Sequence, residues 1–441
     1  MDIIYKIVDF INNILWGKNI LVVLLISTAL FLTYKTRFMQ VRLFKEIFKT
    51  IFITNKEKNG VSSFEAFCLG TACRVGAGNI IGVVAAISIG GAGALFWMWI
   101  VGLLGASTAF VECTLAVLYR EKQKDGSYRG GTPWILEKRR NNRWLGIVYA
   151  LMSIICYIGV IQVMSNSITE SIHGASSINK TYIAYSLVAI VGFIVLRKND
   201  KIISSLNKVV PVMAVLYLGV ITFILLKNIT LIPNMFSEII SQAFGGKQFL
   251  GGVFGAAIME GVKRGLFSNE AGSGNSSYAA AIANHSNPVK QGMLQVLGVF
   301  VDTLVICSAT GFVVLLAKNS ISSSFKGIIL FQESLKYHIG SAGVPFSVSI
   351  IFLFSLSTIL GVAFFGKNAL GFISDNKFLN IGYKVLIVVM VFWGAIENNH
   401  SIWSLADFGL GIMTIINLYA ILPISHEAIH ELNLYEKDLN S

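Results

Sequence analysis

The stretch GTACRVGAGNIIGVVAAISIGGAG, Gly70 to Gly93, is apolar enough to lie inside a membrane, yet Gly76, Gly78 and Asn79 stand together near its middle. Glycine in a helix interior costs about 1 kcal/mol against alanine, so a Gly-x-Gly-Asn cluster predicts a break in the helix. Backbone groups freed by such a break cannot turn to water in hydrocarbon. A break at this depth therefore survives only inside protein or beside a wet cavity. It leaves two useful ends, the bare amides of one half-helix for an anion and unwound carbonyls for a cation. The same glycines also suit tight packing between helices, and this stretch alone leaves both readings open.

Composition sets the class. The chain is 54% hydrophobic and only 13% charged, with a mean hydropathy of +0.69, where a soluble domain carries about 25% charged residues. Apolar runs long enough to cross a bilayer recur throughout, which predicts an all-α membrane protein. Eleven transmembrane helices are expected, at 19–34, 64–90, 92–118, 145–170, 181–196, 206–226, 249–275, 291–317, 345–366, 381–396 and 402–424. The loops and termini divide the basic residues unevenly: 24 lysines and arginines, counting Lys208 and Lys384 at span ends with their loops, fall on one side and eight on the other, while Arg74, Lys263 and Arg264 lie deeper within spans. By the positive-inside rule this puts the N-terminus outside and the C-terminus in the cytoplasm. The net charge of +12 is thereby a topology signal and gives no reason to expect nucleic acid. The start of the chain lacks the pattern of a cleaved secretory leader, so Met1 is expected to be retained. Five cysteines, all within spans, have no zinc spacing and no exposed loop position, so disulfides are not expected.

Along the chain, IIYKIVDFINNIL at 3–15 is amphipathic and suits the outer interface. A basic connector, 35–63, suggests an interfacial helix. Glu112 reads first as a buried acid paired with a neighbouring helix and second as a proton relay. The loop 119–144, with its GGTPW turn, reads as a solvated cytoplasmic face. Gln162, Ser165, Asn166, Ser167 and Thr169 put more amides and hydroxyls on one span than packing needs, which predicts a cavity-lining face. The segment 227–248 reads as an outer loop.

A second interrupted stretch is GGVFGAAIMEGVKRGLFSNEAGSGNSSYAAAIAN, Gly251 to Asn284, with Lys263, Arg264, Ser268, Asn269 and Glu270 at its centre and a Gly251–Gly255 GxxxG pair at its start. Four spans separate the two interrupted ones, so each heads a group of five helices. Five is odd, and the second group must enter from the opposite side. This is an inverted repeat with one discontinuous helix leading each half, a pattern that points to a transporter's binding site. The expected organisation is 1–60 as an N-terminal segment, extra helix and connector, 61–226 and 227–424 as the two repeats, and 425–441 as a cytoplasmic tail.

Asp302 and Asp407 read as structural, paired acids. Ser357 and Thr358 stand adjacent in PFSVSIIFLFSLSTILGVAFFG. Such hydroxyls usually bond their own i−4 carbonyls, but beside unwound carbonyls they can complete a sodium shell. Enzyme signals fail: GVAFFGKN at 361–368 has Asn368 where a phosphate loop needs Ser or Thr, Gly76-x-Gly78 misses the dinucleotide spacing, and HExxH and GxSxG are absent. No catalytic residues are expected.

With both interrupted stretches quoted, the chain resembles the alanine or glycine:cation symporter family, sodium-coupled carriers of the leucine-transporter-like fold. The resemblance rests on RVGAGNIIGVVAAISIGGAGALFWMWIVGLLGASTAFVE at 74–112, GVKRGLFSNEAGSG at 261–274, NPVKQG at 287–292, GVFVDTLVICSATG at 298–311, FLFSLSTILG at 352–361 and WSLADFGLGIMTIINL at 403–418. It implies one extra helix before a five-plus-five inverted core that moves a small neutral amino acid inward with sodium. It also implies that amides at Gly76, Gly78 and Asn79 hold the substrate carboxylate, while Phe267, Ser268 and Asn269 hold its amino group and flank its side chain. Carbonyls near Ala72 and Val75, with Ser357 and Thr358, would bind sodium. Departures from the family pattern are Ala77 for Thr, Met164 for Gln, Val362 for Trp, and Ser273 then Asn275 near the second break. Positions such as Met164 and Val362 are expected in the substrate pocket, and a valine for tryptophan frees volume for a bulkier cargo.

The expected function is thus a secondary carrier in a prokaryotic plasma membrane. It is expected to act as a monomer in the lipid bilayer, with sodium as coupling ion and no other cofactor. Channel and membrane-enzyme readings lack a pore loop or an acid–base set. Proton coupling through Glu270 or Glu112, or a larger neutral cargo such as glutamine, stands as the alternative. Arg74 has no assigned role beyond pairing with a carboxylate such as Glu270 or holding the bend.

Overall fold

The computed structural model describes residues 2–52, 61–196, 199–245, 253–284, 287–322, 324–397 and 399–440. Gly251 of the expected GxxxG pair lies outside them. The described chain is almost entirely helical, with one two-stranded hairpin. Apart from short helical turns at Met39–Arg42 and Phe44–Lys49 in the basic connector, its elements are α1 (Asp2–Asn12), α2 (Ile20–Lys35), α3 (Ser63–Arg74), α4 (Gly78–Gly90), α5 (Gly93–Leu118), β1 (Glu121–Lys122), β2 (Tyr128–Arg129), α6 (Thr132–Lys138) and α7 (Arg143–Ser176). There follow α8 (Lys180–Val195), α9 (Asn199–Lys227), α10 (Ile232–Ala243), α11 (Val253–Asn269), α12 (Asn275–Ile282) and α13 (Pro288–Val299). A π-helix (Phe300–Cys307) leads from α13 into α14 (Ser308–Ala317), and the chain ends with α15 (Gly327–Ile339), α16 (Gly343–Ile373), α17 (Lys377–Ile396), α18 (Asn399–Ile421) and α19 (Ser425–Asn440).

Among the described residues, seven helical stretches are long and apolar enough to cross a membrane, and nine if each of two bent pairs counts as one span. They form an inner and an outer set. The most apolar window of Pro288–Ala317 is 72% buried and that of α5 67%, whereas those of Ile202–Lys227 and α17 are 28% buried. The outer helices thus turn residues such as Val215, Phe223 and Val385 away from the protein, as helices facing lipid do.

Inner helices approach closely because small residues stand at their crossings. α7 packs along α16 and α18. At the second crossing, a Cβ on Gly159 would lie 2.4 Å from the Ala406 nitrogen, and one on Gly409 would lie 2.6 Å from the Cys156 nitrogen.

Three connections carry more structure than their polarity suggested. The segment 119–144 holds the β1–β2 hairpin and α6, in which Thr132 and Trp134 are buried, so it is no simple solvated face. Gly131, at φ 127°, turns the chain and Pro133 opens α6, so the GGTPW turn is a helix start. The outer-loop reading of 227–248 gives way to α10, whose Gln242 Oε1 accepts from the Ala92 amide at 2.8 Å. α15, which was not anticipated, is tied down by Gln332 donating to the Ser171 carbonyl at 3.2 Å. Short amphipathic helices bury one face against the bundle, a signal that loop polarity hides. The amphipathic start of the chain is α1, and Asn12 at its end donates to the Ser404 carbonyl at 2.8 Å.

Gly159→Val is expected to wedge α7 from α18 and cost about 1–3 kcal/mol, read as a lower unfolding temperature of the purified protein in detergent.

Candidate functional site

The first interrupted stretch is two helices, α3 and α4, bent by 41° across Val75 to Ala77. Ser62 begins α3 with a capping box on Glu65. At the break the Gly76 amide donates to Asn79 Oδ1 at 2.9 Å, so the Asn79 side chain folds back over the gap it helps to create. The freed carbonyls meet α16: Thr358 Oγ1 lies 2.9 Å from the Ala72 oxygen, 3.5 Å from the Val75 oxygen and 3.0 Å from the Phe354 oxygen. Four oxygens from two elements thus converge, as a dehydrated hard cation requires. Ser357 is directed elsewhere. Its hydroxyl donates to the Phe354 carbonyl at 2.9 Å and lies 3.5 Å from Met213 Sδ, the local bonding usual for a helical serine.

The second break sits later than its charged residues suggested. α11 runs through Lys263, Arg264 and Ser268 to Asn269, the chain unwinds over 270–274, and α12 carries it on to Ile282. Charge alone does not end the helix; Arg264 simply faces Glu260 one turn away at 3.4 Å. The unwinding comes from left-handed backbone at Glu270, Gly272 and Gly274, with φ of 55°, 91° and 84°, which glycine adopts without strain.

Neighbouring helices satisfy the opened backbone. Glu112 of α5 accepts from the Gly274 amide at 3.2 Å and from Asn417 Nδ2 at 2.8 Å, and Asn417 also donates to the Gly272 carbonyl at 2.9 Å. Tyr149 donates to the Ser273 carbonyl at 2.8 Å, and Tyr157 to Asn275 Oδ1 at 2.7 Å. Glu112 is therefore the buried acid bonded to neighbouring elements that its position suggested.

Between the breaks lies a cavity of about 30 Å3, room for roughly two waters. Gly76, Gly78, Asn79, Met164, Phe267, Ser268 and Thr358 line it, together with Cys73, Arg74, Glu270, Val160, Val163 and Ala406. Ala72, Val75, Ser357, Asn269 and Val362 do not reach it. Ala72 and Val75 present carbonyls behind it, and Val362 is buried one turn beyond Thr358. Asn269 accepts from the Ala271 amide at 3.0 Å, and its amide group lies toward Gly105 of α5. Phe267 packs on Trp403 at 5.3 Å between ring centroids. Of the amide-rich face on α7, Ser165 and Asn166 bond the carbonyls of Val391 and Gly394 on α17, so that face is largely a helix contact.

Three charged residues depart from expectation. Arg74 meets no carboxylate among the described residues. It donates to Gln295 Oε1 at 3.1 Å and to the Ser276 hydroxyl, and so links the end of α3 to the start of α12. A cation is favoured there because the C-terminal end of α3 carries the negative pole of its dipole. Asp407 gives its main-chain carbonyl to Trp16 Nε1 at 3.1 Å, and its carboxylate feels Lys263 and Arg264 at a distance without an ion pair. Asp302, read from sequence only as a structural acid, sits at the contact of both breaks: it accepts from Asn79 of the first and Ser268 of the second. Its signal was present, an acid in an apolar run, but its partners lie more than thirty positions away in the chain.

The family model "Sodium:alanine symporter family" matches residues 1–441. The chain belongs to that family. A Bacillus subtilis protein described as a probable sodium/glutamine symporter, GlnT, is 38% identical over 99% of this chain and 91% of its own length. The Methanococcus maripaludis sodium/alanine symporter AgcS is 31% identical over 99% of this chain and 98% of its own. Among solved structures, a variant of the Eremococcus coleocola manganese transporter superposes with a TM-score of 0.54 at 10% identity, covering 85% of this chain and 80% of that one, a likeness of fold alone. Family membership makes the chain a multi-pass amino-acid symporter and not an enzyme.

Arg74→Met leaves the Gln295 and Ser276 side chains without their donor in a buried place, and a loss of about 1–3 kcal/mol is expected, measured as a lower unfolding temperature beside the unaltered protein.

Proposed function

We propose that this protein is a sodium-coupled symporter that brings a small neutral amino acid into the cell by alternating access. The observation that carries the reading is the meeting of two broken helices at one cavity, with the loose carbonyl end of the first against Thr358. In this reading eleven membrane spans, each on a helix or broken pair, form an extra helix and two inverted five-helix repeats, 61–226 and 227–424. The tail at 425–441 and the more basic loops face the cytoplasm.

The Ala72 and Val75 carbonyls and Thr358 hold sodium, joined by the Phe354 carbonyl; Ser357 joins them only after rotating from its present partners. The Gly78 amide faces the substrate carboxylate, Gly76, whose own amide is held by Asn79, lines the space beside it, and Phe267 and Ser268 face the rest of the zwitterion. A cavity this small must widen to take an amino acid, and movement of the Phe267–Trp403 pair is the way this reading admits cargo. Sodium neutralises charge beside the substrate carboxylate, so each favours binding of the other. A larger cargo such as glutamine is the second reading. It is favoured by the description of the 38% identical relative and by Met164 lining the cavity where the family resemblance implies Gln; Val362 stands outside that cavity and adds no support.

The test is uptake by the reconstituted protein with sodium against choline, across alanine, glycine, serine and glutamine. Saturable uptake that needs the sodium gradient is expected; uptake indifferent to sodium rejects the coupling, and competition by alanine and glycine alone rejects the larger cargo. Thr358→Ala removes the hydroxyl at the converging carbonyls, and the sodium needed for half-maximal uptake is expected to rise at least about tenfold, while Glu112→Gln leaves sodium dependence in place. The opposite pattern would favour a proton as coupling ion.

A further inference from the structure

Asp302 does more than satisfy its own burial. Its side chain is fully buried and accepts from Asn79 Nδ2, from Ser268 Oγ at 2.7 Å and from Thr303 Oγ1 at 2.9 Å. The first donor belongs to the start of α4, the second to the end of α11. One carboxylate thus touches both discontinuous helices beside the cavity. A carboxylate accepts and does not donate, so it faces the NH2 end of the Asn79 amide. The other end, Oδ1, is thereby turned to the Gly76 amide at 2.9 Å. The orientation of Asn79 is thus held from both ends, by the Gly76 N–H on Oδ1 and by Asp302 on Nδ2.

The backbone around Asp302 carries a second, independent sign of this role. Residues 300–307 form a π-helix, a form that is rare and frequent at functional sites. Positions five apart lie about 140° apart on an α-helix. Here Asp302 and Cys307 reach the same two side chains: Cys307 Sγ lies 3.3 Å from Asn79 Nδ2 and 3.1 Å from Ser268 Oγ. The wider turn brings both residues onto one face, against the junction of the breaks.

We propose that Asp302 is a positioning residue for amino-acid binding: through Asn79 and Ser268 it holds the two breaks in the one arrangement that takes the substrate, without itself touching substrate or sodium. The proposal rests on the symporter reading above. It predicts a division of effects, because the oxygens converging on Thr358 come from Ala72, Val75 and Phe354, and none of them bonds the Asn79 side chain.

The experiment compares unaltered protein, Asp302→Asn, Asn79→Asp and the exchange carrying both substitutions, all reconstituted in vesicles. Two quantities are read: the KM for sodium-driven uptake of the amino acid the unaltered protein carries, and the sodium concentration giving half-maximal thermal stabilisation without amino acid. Asp302→Asn replaces one of the two acceptor oxygens that Asn79 and Ser268 now meet with an NH2 group, and is expected to raise KM at least about tenfold, with the sodium value changed less than about threefold. Asn79→Asp alone faces two carboxylates and is expected to abolish uptake. The exchange restores one carboxylate and one carboxamide, leaves an acceptor for Gly76 N–H, and is expected to recover most of the lost affinity. An unchanged KM in Asp302→Asn overturns the proposal, as does a parallel loss of sodium response. An exchange no better than Asn79→Asp alone, or one that yields no folded protein, also overturns it. If Asp302→Asn does not fold, the exchange decides. Lack of sodium-driven uptake by the unaltered protein would instead overturn the symporter reading itself.

Discussion

Backbone amides and carbonyls cannot be left bare in a hydrocarbon setting, and each break in this structure exists on that condition. Unwinding a helix at mid-depth exposes several such groups at once. Here side chains from other elements meet them: Asn79 covers Gly76, Glu112 meets the Gly274 amide, Asn417 bonds the Gly272 carbonyl, and Tyr149 bonds the Ser273 carbonyl. The buried polar residues of this protein are accordingly gathered where the helices open. A buried polar group costs far less when bonded than when alone, so the polar cluster and the breaks stabilise one another.

The same condition explains the charges. Arg74 and Glu112 do not pair with each other, although both are buried near the second break. Each instead bonds neutral groups: Arg74 with Gln295 and Ser276, and Glu112 with the Gly274 amide and Asn417. A direct pair would tie two points together. Hydrogen bonds to neutral groups around an open backbone hold a shape while leaving room for an ion and a zwitterion, each of which adds charge of its own on arrival. The carbonyls at Thr358 serve the cation in the same way, since oxygens already turned inward need little reorganisation when it binds.

Much of this was legible in the chain. The apolar runs fall on helices, with ends up to seven residues apart, because burial in lipid demands length and apolarity together. The Gly-x-Gly-Asn cluster marks the first break, and Thr358, Met164, Phe267 and Ser268 line the cavity beside it. Short connecting helices were missed, since α10 and α15 are half polar and resemble loops in hydropathy. The second break was placed on its charges, when its position was set by Glu270, Gly272 and Gly274 adopting left-handed backbone.

Sequence by itself determined that the chain is helical and apolar, that two of its helices are interrupted, and to which family it belongs. Those properties are local, written in runs of residues and their spacing. Only the tertiary structure decided which polar groups meet: that Ser357 turns to Phe354 while Thr358 turns to Ala72, that Asn269 leaves the cavity, and that Asp302 joins Asn79 to Ser268. These partners are distant in the chain, and the direction of a short side chain depends on helix rotation and packing. Hydropathy reports the depth of a residue but carries no record of that rotation.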